Sequence, residues 1–211
     1  MIYTSIKRCF DFTLSLIGLI IVLPLLFFTA IAIKIESKGS VIFKQERIGQ
    51  NGKTFKIYKF RSMCDGAEKQ GTGQYSFRGD PRVTRVGKFI RATSIDELPQ
   101  FINILKGDMS IIGPRPTLIY HPWPLEEYTE EQRKRYNVRP GVTGWAQIHG
   151  RKDVQWEKRI EYDVWYVDNL SFGLDFKIFW KTVIKVLTMQ DNINVTTTVG
   201  NVGTPSEEKL K

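Results

Sequence analysis

Two consecutive carboxylates, Asp96 and Glu97, stand in the segment Ser94-Ile95-Asp96-Glu97-Leu98-Pro99. An ionised aspartate in such a setting can attack phosphorus or bind magnesium. Acids at a helix start also have a purely structural explanation, since the helix dipole stabilises each by about 0.3–1 kcal/mol. The same dipole is expected to keep Asp96 ionised. Cations that could meet an anionic ligand flank the pair. Lys59 and Arg61 alternate with Phe55 and Ile57 on one face of a strand, apolar at one end and cationic at the other. Strand cations are commonly just solvated, so a phosphate-binding reading of Lys59 and Arg61 stands beside that one. Gly113-Pro114-Arg115-Pro116 is a stiff turn that presents a single arginine.

These side chains need elements to aim them. Ser94 and Glu97 have capping-box spacing, and Leu98, Phe101, Ile102 and Leu105 recur at helical intervals, so a helix is expected to begin near Ser94. Pro99 must then lie in its first turn. Val41 to Arg47 and Thr54 to Met63 read as strands joined by Gln50-Asn51-Gly52, because Asn-Gly supplies positive backbone angles. The glycine-rich stretch Cys64 to Arg85 reads as a mobile, lid-like loop. Thr129 to Tyr136 has the spacing of a short capped helix, and Val138 to Trp145 that of a second rigid turn. Leu174, Ile178, Val183, Ile184 and Leu187 share a helix with Lys177, Lys181 and Lys185. That helix lies either in a membrane surface, with Phe176, Phe179 and Trp180 sunk into it, or against a core with its lysines solvated. From Asp191 the chain is polar, as a frayed tail would be.

With 211 residues the chain can bury one domain with attachments, and its net charge of +9 favours anionic partners: head groups, nucleotides or phosphorylated lipids. Nucleic acid is not expected, since no recognition motif is present and the aromatics do not interleave with the basic residues. Cys9 and Cys64 suit neither a disulfide framework nor a zinc site, and His121 and His149 are too far apart to suggest a metal pair. From Phe12 to Ile33 no charged residue occurs, a length that matches a bilayer-crossing helix. The run reads as apolar all round, without the polar stripe of a core helix. Lys7 and Arg8 precede it and Lys34 follows it, so both ends look cytoplasmic, while Pro24 should kink its middle. A bent helix that enters and leaves by one face and an ordinary kinked span both fit the residues. A secretory signal fits less well, because the apolar run is too long.

Several blocks of this sequence, in order, resemble the monotopic phosphoglycosyl transferases, a family of bacterial sugar transferases. They are Lys7-Arg8 with Asp11, Phe55 to Met63, Ser94 to Gln100, Leu105 to Ser110, Gly113 to Pro116, Arg139 to Gln147 and Asp163 to Tyr166. The resemblance runs from about Lys7 to about Leu187. It implies transfer of a sugar 1-phosphate from a UDP-sugar to undecaprenyl phosphate, with release of UMP, as the first membrane step of glycoconjugate assembly. It implies Asp96 as the nucleophile that forms an aspartyl phosphosugar, Glu97 as base or magnesium neighbour, and Mg2+ as cofactor, held by Asp96 and Glu97. Lys59, Arg91 and Arg115 fall at matching functional positions and are assigned to phosphate contacts, with Arg61 beside them, and Asp163 to support of the site. The implied fold is α/β, mostly helical with a small β-hairpin. Residues 1–36 would form a re-entrant membrane hairpin broken at Pro24, 37–190 the catalytic domain with interfacial helices, and 191–211 a polar tail. The resemblance places the chain in the inner membrane with its catalytic domain in the cytoplasm, against the phospholipid bilayer, and leaves a homodimer open. The family often carries Ser-Pro at the break, whereas this chain has Leu23-Pro24. A catalytically inert membrane tether for anionic polymers is the alternative from another class.

Overall fold

The computed structural model describes residues 2–69, 77, 79–150 and 154–188. The fold is mostly helical, with two small sheets and one long apolar N-terminal helix. That helix, α1 (Ile2–Glu36), runs as one element with Pro24 inside it. Its most apolar stretch has a mean hydropathy of 2.9 and is only 11% buried, so it is long and apolar enough to cross a membrane. Its residues are distributed inside-out. Leu16, Ile20, Ile21, Leu23, Phe27 and Phe28 are exposed, whereas Asp11, Ser15 and Thr29 are buried against the rest of the chain. The helix therefore does have a polar stripe, contrary to the expectation from its composition. The stripe faces protein, and the apolar residues face outward, as a lipid environment requires.

Both ends of α1 are fastened to the same body. Near the start, Arg8 donates to the carbonyls of Ile104 (2.5 Å) and Leu105 (3.0 Å). Asp11 accepts from Ser110 Oγ (2.7 Å) and the Ile111 N–H (3.1 Å), and Lys7 pairs with Asp175 at 2.7 Å. At the far end, Glu36 accepts from the N–H groups of Arg85 and Val86 at 2.7 and 2.9 Å, where helix α2 (Arg85–Ala92) begins. Two orphan donors of a helix start are thereby satisfied by a carboxylate that the dipole also favours. Between the ends, Gly18 lets the helix approach the ring of Phe101.

Strands β1 (Ile42–Ile48) and β2 (Thr54–Phe60) pair antiparallel, Ile42 opposite Phe60 and Ile48 opposite Thr54. Asn51 (φ 56°) and Gly52 (φ 75°) supply the positive angles that the Asn-Gly signal promised. The second strand ends before Arg61, short of the expected Met63. A second sheet, absent from the sequence reading, pairs β3 (Ser110–Ile112) parallel to β4 (Gly141–Thr143). Three-residue strands carry too little alternation to be seen in sequence. Here Gly141 is required: a Cβ on it would fall 2.1 Å from the backbone nitrogen of Gly113.

The remaining helices are α3 (Gln100–Lys106), α4 (Glu130–Arg133), α5 (Trp145–Ile148), α6 (Trp156–Asp168) and α7 (Phe172–Leu187). The capping box of Thr129 and Gln132 forms on α4, as its spacing predicts. Small apolar clusters hold the body together: Ile48, Tyr136, Ile160 and Val164 in one, Ile112, Tyr166 and Ile178 in a second, and Ile57, Ile104 and Met109 under β2. A further one joins Ile33 of α1 to Phe60 and Ile90. On α7, Asp175 and Ile178 are buried while Phe172, Phe176, Phe179 and Trp180 are exposed, and Phe172 lies 6.4 Å from Phe10 of α1. The two helices thus share one outward apolar surface. The central part of the stretch read as a mobile lid, 70–76 and 78, lies outside the described residues, as does the tail from Asp191. The flanks of that stretch are tied down: Arg82 pairs with Asp80 at 2.7 Å and donates to the Ala67 carbonyl at 2.8 Å.

Candidate active site

The helix expected at Ser94 does not begin there. Ser94 is left-handed (φ 59°, ψ 16°) and makes no side-chain cap, so the Ser94–Glu97 capping box is absent. Residues Ile95–Glu97 form a 3-10 turn instead, and α3 starts at Gln100 with Pro99 as its N-cap. The reason is local. Proline has no N–H to give the Ile95 carbonyl, which takes the N–H of Leu98 at 3.1 Å in the tighter pattern. A non-glycine residue in the left-handed region costs of order 1 kcal/mol or more, and here it turns the chain out of α2 and aims the two carboxylates.

Glu97 is the hub. Its Oε1 accepts from Lys59 Nζ at 2.8 Å and from Arg115 Nη2 at 2.6 Å, so the end of β2 and the turn after β3 converge on one oxygen. Burial opposes ionisation of Glu97, but Arg115 and Lys59, through charge and hydrogen bonds, hold it well below the usual carboxylate range. Asp96 behaves oppositely: burial and then the Glu97 charge push it up to about 6, against Lys59, Arg91 and Arg115. The expectation that the helix dipole keeps Asp96 fully ionised is therefore corrected. The dipole of a short helix starting at Gln100 is outweighed by desolvation and a neighbouring like charge. Burial also lowers Lys59, with Glu97 resisting.

Arg91, in the last turn of α2, donates from Nε to Ser62 Oγ at 2.7 Å and lends its charge to Asp96. Asp163 on α6 does not reach the carboxylates. It accepts from Arg135 Nη2 at 2.6 Å in a pair almost wholly buried, and the same Nη2 donates to the Arg115 carbonyl at 2.9 Å. Burial works against the Arg135 charge, but the carboxylate beside it outweighs that and raises it. Asp163 thus acts through Arg135 on the backbone of Arg115. Arg61 is not part of the cluster. It follows β2 and donates to the carbonyls of Ser37 (2.8 Å) and Lys38 (2.5 Å), tying down the end of α1. Alternation failed for Arg61 because the strand stops at Phe60, which releases the next residue from its register.

Two supports had no sequence signal. Asn103, fully buried on α3, accepts from the Tyr58 N–H at 2.9 Å and donates to the Lys56 carbonyl at 2.8 Å, locking the carboxylate-bearing segment to β2. Arg135 lies within the Thr129–Tyr136 segment, where helical spacing alone assigns it no role. The histidines sit on aromatic rings, His149 against Trp145 at 4.0 Å and His121 edge-on to Trp156 at 5.1 Å. Among the described residues no three His, Cys, Asp or Glu side chains gather as a metal cluster. A hard cation could still use Asp96, to which no described side chain donates, and Glu97 Oε2, since both cations take Oε1. One or two carboxylates, completed by waters and substrate phosphates, is an ordinary donor set for magnesium. In chemical terms the arrangement sets one carboxylate without a described side-chain donor beside another that holds two cations.

A family model described as bacterial sugar transferase matches residues 2–189. The chain belongs to the bacterial sugar transferase family. This transferase is 46% identical over 185 residues to an uncharacterized sugar transferase of Bacillus subtilis, covering 88% of this chain and 89% of that one. It is 46% identical over 190 residues to the UDP-N-acetylgalactosamine-undecaprenyl-phosphate N-acetylgalactosaminephosphotransferase of Aeromonas hydrophila. It is 44% identical over 185 residues to the UDP-glucose:undecaprenyl-phosphate glucose-1-phosphate transferase of Escherichia coli. Those alignments take in 89% and 85% of this chain but 45% and 40% of the relatives, so the transferase spans less than half of their length.

Proposed function

We propose that this chain moves a sugar 1-phosphate from a UDP-sugar onto undecaprenyl phosphate, with Asp96 as the nucleophile. The observation that carries the reading is the division of labour between adjacent carboxylates: Glu97 Oε1 takes both Lys59 and Arg115, while Asp96 is left without a described donor among the same cations. An Asp96 oxygen attacks the sugar-proximal phosphorus and the bond to the bridging oxygen breaks. UMP leaves with the electron pair, and an aspartyl phosphosugar remains. An oxygen of undecaprenyl phosphate then attacks the same phosphorus, releases Asp96 and yields the lipid diphosphate sugar. Lys59, Arg91 and Arg115 supply the charge stabilisation that phosphoryl transfer mainly needs. Names of relatives from Aeromonas hydrophila and Escherichia coli support the donor and acceptor classes. Asp96 and Glu97 would hold Mg2+, which when bound neutralises charge on the diphosphate.

The helix α1 is read as re-entrant, with the catalytic body on the cytoplasmic face of the inner membrane. Lys7, Arg8 and Asp11 at one end and Glu36 at the other contact the same body, which supports a helix whose two ends lie on one side of the bilayer. The exposed aromatics of α7 extend that surface and suit the bilayer interface.

UMP release is measured from a panel of UDP-sugars with undecaprenyl phosphate, for the wild type and Asp96→Asn in detergent. Release by the wild type alone supports the mechanism and names the sugar. Equal release by the variant removes Asp96 as nucleophile, and none from either favours an inert tether. Turnover that survives a chelator would remove magnesium from the scheme.

A further inference from the structure

Helix α7 carries three parallel rows of side chains. Asp175 and Ile178 are buried against the body, with Thr182 half-buried beside them. Phe172, Phe176, Trp180 and Ile184, spaced four apart, are all exposed, and the rings of the first three follow one another at 6.3 and 6.1 Å. Lys177 and Lys181, followed by Lys185, form the third row. It lies one position on from the apolar row, about 100° round the helix. Asp175 is the only carboxylate of α7, and it is already engaged: Lys7 pairs with it at 2.7 Å, and Tyr3 and Tyr166 donate to it at 2.6 and 2.7 Å. Among the described residues no carboxylate comes within ion-pair distance of Lys177 or Lys181, and both are exposed.

The lysine row also has a fixed neighbour. Lys177 Nζ stands 5.5 Å from the ring centre of Trp145, which stacks on the exposed Trp165 at 4.5 Å. Indole rings beside lysines, next to a strip of exposed aromatics, are what a bilayer interface collects. The basic residues at the start of α1 are engaged elsewhere: Lys7 meets Asp175, and Arg8 donates to the carbonyls of Ile104 and Leu105. Where Phe10 of α1 meets Phe172 of α7 at 6.4 Å, the positive charge left facing outward is therefore that of the α7 row.

We infer that Lys177 and Lys181 bind the phosphates of anionic phospholipids while the row from Phe172 to Ile184 lies among the acyl chains. This rests on the interfacial reading of α7 and adds to it that the surface selects lipids by headgroup charge. Phosphatidylglycerol brings an uncompensated negative charge to the lysines, whereas phosphatidylcholine carries its own ammonium beside the phosphate. Long lysine stems let the ammonium groups rise to the phosphate level from a helix sunk to its aromatic row.

The test is tryptophan quenching of the full chain in phosphatidylcholine bilayers that hold a fixed fraction of a lipid with brominated chains, either phosphatidylglycerol or phosphatidylcholine. The wild type is compared with the double variants Lys177→Gln/Lys181→Gln and Lys177→Arg/Lys181→Arg. The apolar helix α1 contains no tryptophan, whereas Trp180 lies in the exposed row of α7, so the signal reports this surface. In the wild type the quenching constant for phosphatidylglycerol should exceed that for phosphatidylcholine about threefold or more at low salt, and the excess should shrink at high salt. The glutamine variant should bring the ratio close to one, and the arginine variant should keep it. Equal quenching by the two lipids in the wild type would overturn the inference while leaving α7 in the interface. So would an unchanged ratio in the glutamine variant, or a ratio lost with arginine as well, since charge would then not be what is recognised. A glutamine variant that keeps the ratio but raises the KM for undecaprenyl phosphate would assign the row to the acceptor instead. No quenching by either lipid would take α7 off the bilayer and sink the interfacial reading together with the inference.

Discussion

Asp96 and Glu97 are neighbours in the chain, yet their carboxyls are driven in opposite directions, Asp96 up to about 6 and Glu97 well below the ordinary range. One shared set of cations cannot serve both, and Glu97 holds it. A nucleophilic carboxylate acts only when ionised. The rate with saturating substrates is therefore expected to rise with pH through about 6 and to level off above it. A profile flat between pH 5 and 7.5 would mean that Asp96 is already ionised at the lower end and that burial does not control it.

The same shift has a thermodynamic consequence. A folded-state value of about 6 against an ordinary 3.8 means that the folded chain binds the proton more tightly than the unfolded one. Stability is then lost as pH rises between those values, and the full cost, of order 1–3 kcal/mol, applies above pH 6. Asp96→Asn should melt a few degrees higher than the wild type at pH 7.5, and the difference should close below pH 4. Equal melting temperatures at pH 7.5 would contradict the electrostatic account of the site.

Asp163 and Arg135 pair at 2.6 Å with side chains 3% and 2% exposed. Removing one charge strands the other in a dry interior, which costs about 3–5 kcal/mol. Asp163→Asn should lower the melting temperature by on the order of 10 °C. It should also raise KM for the UDP-sugar, because Arg135 no longer fixes the Arg115 backbone. A variant that melts like the wild type would show the pair to be dispensable.

The topology of α1 can be read by labelling. Single cysteines at Ser5 and Lys38, both exposed, are introduced after Cys9 and Cys64 are changed to serine. A membrane-impermeant maleimide should modify both in inverted vesicles and neither in right-side-out ones. One site reacting from each side would make α1 a conventional span.

Much of the frame is legible in the sequence because the forces that set it are local. The Asn51-Gly52 turn and the Thr129–Gln132 capping box each involve residues within a few positions of one another and take the expected form, and the charge-free run from Phe12 to Ile33 is helical throughout. The pair Asp96-Glu97 stands out for the same reason, as does the order of the blocks that resemble the family. At Ser94 a local rule misled, because capping-box spacing was weighed without the carbonyl that Pro99 cannot serve.

By itself, then, the sequence determined an apolar helix with basic flanks, a hairpin, a helical remainder and a carboxylate pair among cations. Which cations meet the pair was decided by the tertiary structure. Lys59 and Arg115 come to Glu97 from 38 and 18 residues away, while Arg61, two positions past Lys59, serves the end of α1 instead. The polar stripe of α1 found its meaning only when Asp11 met Ser110, 99 residues later. Ionisation of Asp96 likewise depends on how far packing removes water from it and on where the neighbouring charges come to rest. Periodicity and spacing carry neither quantity, since desolvation and ion pairing act through space between segments that the chain brings together only on folding.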